Sequence, residues 1–387
     1  MFNKEVYDYA IVGAGAAGLH LAMAMVADPW FANKSVLLLD KDEKNKNDRT
    51  WSFWEKGNGQ WDHLLEQSWA KGQFFSDTVA LDFDLAPYRY KTLEAIRFYE
   101  HAKRVLLDDE RITWQLAAVR KVETGTPCQI FTDHKTYQAG HVFDSRIDRS
   151  FEVANDRSFR ILQHFKGWVI ETPEPAFDVS TFVMMDFRLR HRNSSSFTYV
   201  LPFSDRRAMV EFTLFTEQLL DKSAYDGYLK TYLREYLNIS DYRIEKTEYG
   251  VIPMSDFPFE KDNHPHLTKI GTAGAYVKAS SGYGFKNIER MAAGMVRNLQ
   301  ANRPPARGLI SRKFRLFDSL YLDVLTHHNE FGATLYSDMF RNNSVQQIFK
   351  FLDEETTLAE DFAIMNSLER GPFLKAVWHR LTGGRVA

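Results

Sequence analysis

The stretch Tyr7-Asp8-Tyr9-Ala10-Ile11-Val12-Gly13-Ala14-Gly15-Ala16-Ala17-Gly18, followed by Val36-Leu37-Leu38-Leu39-Asp40, decides the fold. An apolar run enters a G-x-G-x-x-G turn, small and apolar residues continue to Asp28-Pro29, and a second apolar run ends in an acid. Strand, glycine turn, helix, strand and acidic end come in the order a dinucleotide requires. Gly13 permits the tight turn, and Gly15 lets backbone approach a pyrophosphate. Gly18 lets the helix lie against the sheet, and Asp40 can accept ribose hydroxyls. A glycine motif alone is weak evidence; the flanking strands make this one a dinucleotide site.

Beyond residue 40 the chain is less regular. Lys41 to Asp48 is a polar, charged loop, and Arg49-Thr50-Trp51-Ser52-Phe53-Trp54 then breaks it with aromatics. Residues 93–107 read as a helix, Ile112 to Val119 as containing a strand, and Gln129 to Tyr137 as a hairpin before His141-Val142-Phe143-Asp144. From 161 to 215 the pattern is β-rich, with strands around Trp168–Thr172, Val183–Phe187, Ser196–Val200 and Ala208–Thr213. Residues 221–238 return to helix, Ile270 to Ala275 closes another strand on small residues, and 288–300 are helical. Pro304-Pro305 marks the start of a helical tail.

This pattern predicts an α/β chain: a discontinuous Rossmann-like FAD-binding domain, an inserted mixed β-sheet substrate domain and a C-terminal helical region. The expected division is 1–75, 93–150 and 265–303 for the FAD-binding part. Residues 76–92 and 151–264 form the substrate sheet and helices, and 304–387 the helical region. A simple NAD dehydrogenase has a more regular βαβ series than this chain offers.

Composition narrows the partners. A formal net charge of −2 gives no attraction for nucleic acid. The single cysteine, Cys128, excludes an internal disulfide and a cysteine metal cluster. Met1-Phe2-Asn3-Lys4-Glu5 precedes the first strand without an apolar signal region, and no twenty-residue apolar run predicts a spanning helix. The scattered histidines, with His264-Pro265-His266 as a polar turn, predict no metal site. Aromatic residues reach 14%, enough both to fill a core and to wall a large apolar ligand.

Several short segments, in order, resemble the FAD-containing lycopene cyclase family, and the resemblance implies an FAD-binding domain of the flavoprotein monooxygenase type. After the glycine turn come Asp48-Arg49-Thr50-Trp51-Ser52-Phe53-Trp54, Phe143-Asp144-Ser145-Arg146 and Met185-Asp186. Leu201-Pro202-Phe203-Ser204 with Val210-Glu211-Phe212-Thr213 follows, then Glu248-Tyr249-Gly250-Val251-Ile252-Pro253-Met254 and Ser281-Gly282-Tyr283-Gly284-Phe285. The resemblance runs from residue 6 to about residue 300. It implies a lycopene β-cyclase, an intramolecular lyase or isomerase that turns ψ-end groups into β-ionone rings without net redox change. It also implies reduced FAD, with NADPH or NADH as electron donor, and lycopene and other linear carotenoids as substrates. A lipid bilayer surface as partner, association with other carotenoid-pathway enzymes and a peripheral place on the cytoplasmic side of the membrane complete the expectation.

Cyclising a polyene end needs an acid to protonate a terminal double bond and a base to take a proton from the carbocation. A carboxyl in an apolar wall has the raised pKa such an acid requires. Glu211 is the first candidate; alternation alone lets it face either the core or solvent. The family often carries a second acid at the next position, where this chain has Phe212, expected to pack on the opposite strand face. Asp186, with Arg188 or Arg190 as partner, and Glu248, beside Lys246, are the other catalytic candidates. Each reads equally as a structural or surface carboxylate.

For the cofactor, Gly13, Gly15, Gly18 and Asp40 are joined by Arg49 as a phosphate donor, Asp144 as a turn support, and Gly271, Gly274, Gly282 and Gly284 as close-approach turns. Trp51, Phe53 and Trp54 are expected along an isoprenoid channel. Tyr283 and Phe285 are expected to stabilise a cation, at about 1–2 kcal/mol each when desolvated. Phe314, Phe317, Leu320, Tyr321 and Leu322 are expected at an opening toward lipid. The same scaffold also suits a flavin monooxygenase or reductase on an isoprenoid or aromatic substrate, and a non-catalytic carotenoid-binding flavoprotein.

Overall fold

The computed structural model describes residues 6–153 and 158–382; Met1 to Glu5 and the last five residues of the tail lie outside the described residues. The opening motif folds as its glycines dictate. Strand Tyr7–Val12 turns at Gly13, whose φ of +102° is open to glycine, into helix Ala16–Ala27. A Cβ on Gly18 would sit 1.9 Å from the Gly13 carbonyl oxygen, so this helix–strand approach requires glycine there.

Tyr7–Val12 pairs in parallel with Val36–Asp40 on one side and Thr136–Asp144 on the other. Ile112–Leu116 extends the sheet beyond Val36–Asp40, and the antiparallel pair Cys128–Thr132 and Val119–Glu123 closes its far side. Leu267–Lys269 returns late in the chain to pair with Thr136–Asp144, and this makes the first unit discontinuous. Helices Ala16–Ala27, Ala95–Leu107 and Phe285–Gln300 bury their apolar faces with this sheet in one core.

The second sheet runs Arg243–Ser255, Arg160–Glu171, Arg207–Thr216, Ser195–Pro202, Thr181–Asp186, Lys71–Phe75, Ala80–Asp84. Both of its faces are covered. Helix Lys222–Glu235 packs on one, through Tyr225, Leu229, Tyr232 and Leu233 against Val210, Phe212 and Leu214. The other meets the helical tail, where Phe197, Tyr199, Met209 and Phe215 share a core with Tyr336, Phe340 and Phe349.

The aromatic segment expected as a loop is a strand, Thr50–Lys56, paired with Tyr88–Glu94 in a three-stranded sheet completed by Gln67–Trp69. Its alternation divides the aromatics. Phe53 and Trp51 pack toward the glycine-motif core, and Trp54 toward the tail, stacked on Phe349 at 4.4 Å. The tail comprises helices Arg312–His327, Gly332–Asn342, Val345–Leu352, Leu358–Ser367 and Arg370–Thr382. No helix among the described residues is long and apolar enough to cross a membrane.

Candidate active site

The period-two rule sorts the second sheet chemically. On strand Arg207–Thr216, Val210, Phe212 and Leu214 face helix Lys222–Glu235, whereas Met209, Glu211, Thr213 and Phe215 face the opposite way. Phe212 thus lies against Tyr228, stacked at 4.4 Å, as expected for the residue beside an inward acid.

Register then assembles a row. Gly167 pairs with Glu211 on one side and with Glu248 on the other, and Glu211 pairs in turn with Tyr199. Glu248, Gly167, Glu211 and Tyr199 therefore lie side by side on four strands. The absence of a side chain at Gly167 matters, because a Cβ there would come within 3.2 Å of the Glu211 Cβ. Two carboxyl groups thus share a face across a gap that only a glycine leaves open.

Their surroundings differ. Glu211 is half-buried and densely surrounded by protein, and Thr213 Oγ1 donates to it at 3.1 Å. Desolvation first, and the charge of Glu248 second, push its pKa up to about 8. Glu248 is buried and accepts from both the Thr50 N–H and the Thr50 hydroxyl, each at 2.8 Å. Burial raises its pKa, while Thr50, Lys246 and Arg49 pull the other way. Thr50 is the second residue of the Arg49–Trp54 segment, so two distant motifs meet at one carboxylate.

Asp186 takes the other face. It is fully buried, bound through both oxygens by Arg188 at 2.5–3.1 Å, and accepts the Tyr232 hydroxyl at 2.8 Å. The sheet therefore brings Glu211 and Glu248 together and sets Asp186 apart from them.

Beside the row lies a cavity of about 250 Å³, walled by Met184, Phe197, Tyr199, Phe215 and Tyr283 from the sheets and the glycine turn, with Tyr336 from the tail. Phe317, Leu320 and Tyr321 line it as well, but Phe314 and Leu322 are buried in the packed core. The lining continues to Phe362, Met365, Leu374 and Val377, which are exposed, so the mouth lies on the last two helices. Three of the five residues expected at the opening, within 314–322, thus line the cavity, and its exposed end is carried by the later helices. Apolar residues at Leu358, Phe362, Met365, Leu374 and Val377, on helices already covered elsewhere, were the missed signal.

The dinucleotide cradle is open where it must be. A Cβ on Gly15 would meet nothing within 4 Å, and the helix beginning there has no side-chain cap for its free N–H groups. Asp40 Oδ2 accepts the Ala14 N–H at 2.5 Å and Oδ1 the Asp42 N–H at 2.8 Å, and this ties the acid to the loop. Gly271, at φ +62°, approaches the Ala17 Cβ position, and Gly274 closes the short helix Gly271–Gly274 against Lys269. Gly282, at φ +74°, lies against Gln163, and Gly284 precedes helix Phe285–Gln300. Arg49 pairs with Asp48 and remains largely exposed at its tip. Asp144 supports the fold: burial alone would raise its pKa, but Arg146 and Lys269 hold it below the usual carboxylate range.

A model of the family described as lycopene cyclase protein matches residues 8–377. The chain belongs to the lycopene cyclase family. Curated relatives include the lycopene beta cyclases of Capsicum annuum, 28% identical over 297 residues, and Arabidopsis thaliana, 26% identical over 299. These alignments cover 72% and 73% of this chain but 57% and 58% of the relatives, so it spans little more than half their length. Among solved structures, a geranylgeranyl bacteriochlorophyll reductase-like protein from Thermoplasma acidophilum aligns with a TM-score of 0.60 at 11% identity. It covers 98% of this chain and 99% of that one. A flavin-dependent brominase follows at 0.55 and 12%, over 98% and 100% of the two chains. A halogenase solved with FAD aligns at 0.54 and 10%, over 98% and 84%. The fold is thus the α/β fold of flavin-dependent halogenases and reductases.

Proposed function

We propose that this family member is a lycopene β-cyclase, with Glu211 as the acid. The observation that carries the reading is the place of Glu211 beside Tyr199, which lines the aromatic cavity, with burial and Glu248 pushing its pKa up to about 8. Protonating a terminal double bond of a ψ-end group creates a cation. The neighbouring double bond closes on it to form the ring, and loss of a ring proton restores neutrality. One proton enters and one leaves, so no net redox change occurs.

Glu211, ionised once it has donated, is the nearer base for the returning proton, because both oxygens of Glu248 are held by Thr50. Glu248 raises the proton affinity of Glu211 across Gly167 and fixes the Thr50 end of the aromatic strand. Asp186 acts as a positioning residue that locks strand Thr181–Asp186 to Tyr232. Aromatic walls exclude water from the cation, with Tyr283 contributing its ring face.

The residues present fit FAD. The open Gly15 cradle with Gly13, Gly18 and Asp40 would hold the pyrophosphate and ribose, and Arg49, Gly271, Gly274, Gly282 and Gly284 would border the rest. Asp144 braces this border from behind. Reduced flavin, when bound, supplies electron density that favours a nearby cation, with NADPH or NADH as the electron donor.

Lycopene and other linear carotenoids dissolve in lipid, and the exposed apolar mouth residues suit a bilayer surface as the place of entry. Sedimentation with lipid vesicles checks this face: Phe362→Ser with Leu374→Ser is expected to release the protein, and undiminished binding would remove the face from the account. The reaction itself is tested anaerobically with FAD, NAD(P)H and lycopene in liposomes. An isobaric product with the retention and spectrum of γ- or β-carotene is expected. An oxygenated product appearing only in air would replace cyclisation by monooxygenation.

A further inference from the structure

Three tyrosines that the proposed mechanism leaves without a proton-handling role meet beside Glu211. Tyr90 comes from strand Tyr88–Glu94, Tyr199 from Ser195–Pro202, and Tyr283 from the turn before helix Phe285–Gln300. The hydroxyls of Tyr90 and Tyr199 each lie 3.2 Å from that of Tyr283, and either oxygen of each link can donate. Three hydroxyl hydrogens serve two links, so one hydrogen always stands at an oxygen of the chain without a partner inside it. Reversing the direction of donation moves that hydrogen from the Tyr90 end to the Tyr199 end.

Of the two ends, Tyr199 is the acid's neighbour in the sheet. Tyr199 and Glu211 are register partners on the same face, which brings their Cβ atoms to about 5 Å of each other. The charge of Glu211 is felt at Tyr90 as well as at Tyr199. The groups facing Glu211 from each packed element are few. They are Glu248 across Gly167, Thr213 on its own strand, Tyr199 and Tyr90 from two others, and Tyr336 of the tail behind Tyr199. Lys246 and Arg49 act on Glu248 instead. Among the described residues an ionised Glu211 thus has a single donor, Thr213, although a carboxylate can accept about four hydrogen bonds.

We infer that the Tyr90–Tyr283–Tyr199 hydroxyl chain is a reversible donor. It turns its spare hydrogen toward Glu211 once the acid has given up its proton and away when Glu211 is protonated. The three phenols are positioning residues: they act on the substrate through Glu211, and they supply the donor that arrives when the carboxylate forms. Burial holds all three well above the ordinary tyrosine pKa, so they remain neutral throughout. This inference rests on the acid role of Glu211.

The test uses the holoenzyme and the variants Tyr199→Phe and Tyr283→Phe, each keeping its ring. The protonated Glu211 carboxyl is followed by infrared difference spectroscopy against pH, its band assigned by its loss in Glu211→Gln. Removing a donor that stabilises only the ionised form raises the titration midpoint, by about one pH unit. In the cyclisation assay the same variants should lose about tenfold in kcat with KM for lycopene unchanged. A midpoint in Tyr199→Phe and Tyr283→Phe equal to that of the unmodified protein overturns the donor chain. Because the titration needs no turnover, it decides the donor chain even if the unmodified protein makes no ring, an outcome that would remove the cyclase reading by itself.

Discussion

The two faces of the second sheet carry similar residue types under opposite rules. On the side of helix Lys222–Glu235, charged groups have partners of opposite charge or hydrogen-bond donors. Asp186 holds Arg188 and Tyr232, His164 meets Tyr225 at 2.5 Å, and Lys166 pairs with Asp226. On the cavity side, among the described residues, Glu211 faces another carboxylate and no cation, with a single hydroxyl donor. A buried charge that is paired and saturated holds a fold together, while one left unsaturated has its proton affinity set by burial. In the proposed mechanism, one sheet thus separates structure from chemistry by the parity of its strands.

The largest effect that sharpens this contrast is expected at Glu211. Glu211→Gln should remain folded and lose about 10³-fold in kcat, read from ring product by chromatography with mass detection. Activity within a few-fold of the unmodified protein would put the chemistry elsewhere. Asp186→Asn should do the reverse. Removing the charge of the fully buried Asp186 costs about 2 kcal/mol, discounted because its partner Arg188 is partly solvent-exposed, and appears as a lower denaturation midpoint. The folded fraction should turn over at nearly the original rate. Loss of kcat without loss of stability would break the division between the faces.

Gly167→Ala presses on the row itself. The added methyl falls 3.2 Å from the Glu211 Cβ, so the acid must shift by a few tenths of an ångström. A loss of about tenfold in kcat with near-normal stability is expected, since proton transfer depends on placement at that scale. The smallest effect is expected from Glu248→Gln. An anion beside Glu211 raises its pKa, so removing that charge lets Glu211 ionise at lower pH. The alkaline limb of the pH–rate profile should therefore move down from about 8, by about half to one pH unit. An upward move would contradict the assigned sign.

The sequence made some of this legible and not the rest, for local reasons. Gly13, Gly15 and Gly18 sit within six residues of one another, and their turn, helix and following strand form as read. Phe212 followed from alternation beside Glu211. Which face Glu211 occupies did not, because parity gives two faces and only the covering helix Lys222–Glu235 distinguishes them. The Glu248–Gly167–Glu211–Tyr199 row was likewise invisible. It depends on register between strands whose pairing is set by packing across long separations. The aromatic run at Trp51 to Trp54 looked like a loop because the strand it pairs with, Tyr88–Glu94, lies later in the chain. Its alternation, with Trp51 and Phe53 on one side and Trp54 on the other, was already in the sequence.

The central claim is that Glu211 delivers a solvent-exchangeable proton to the polyene. Anaerobic turnover of lycopene by the FAD- and NAD(P)H-supplied protein in D2O, followed by mass detection, tests it most directly. A carboxyl that exchanges with solvent should leave each ring about one mass unit heavier than in H2O, with this gain abolished along with the product in Glu211→Gln. A cyclised product of unchanged mass in D2O, or a Glu211→Gln variant that still makes the heavier ring, would contradict the account.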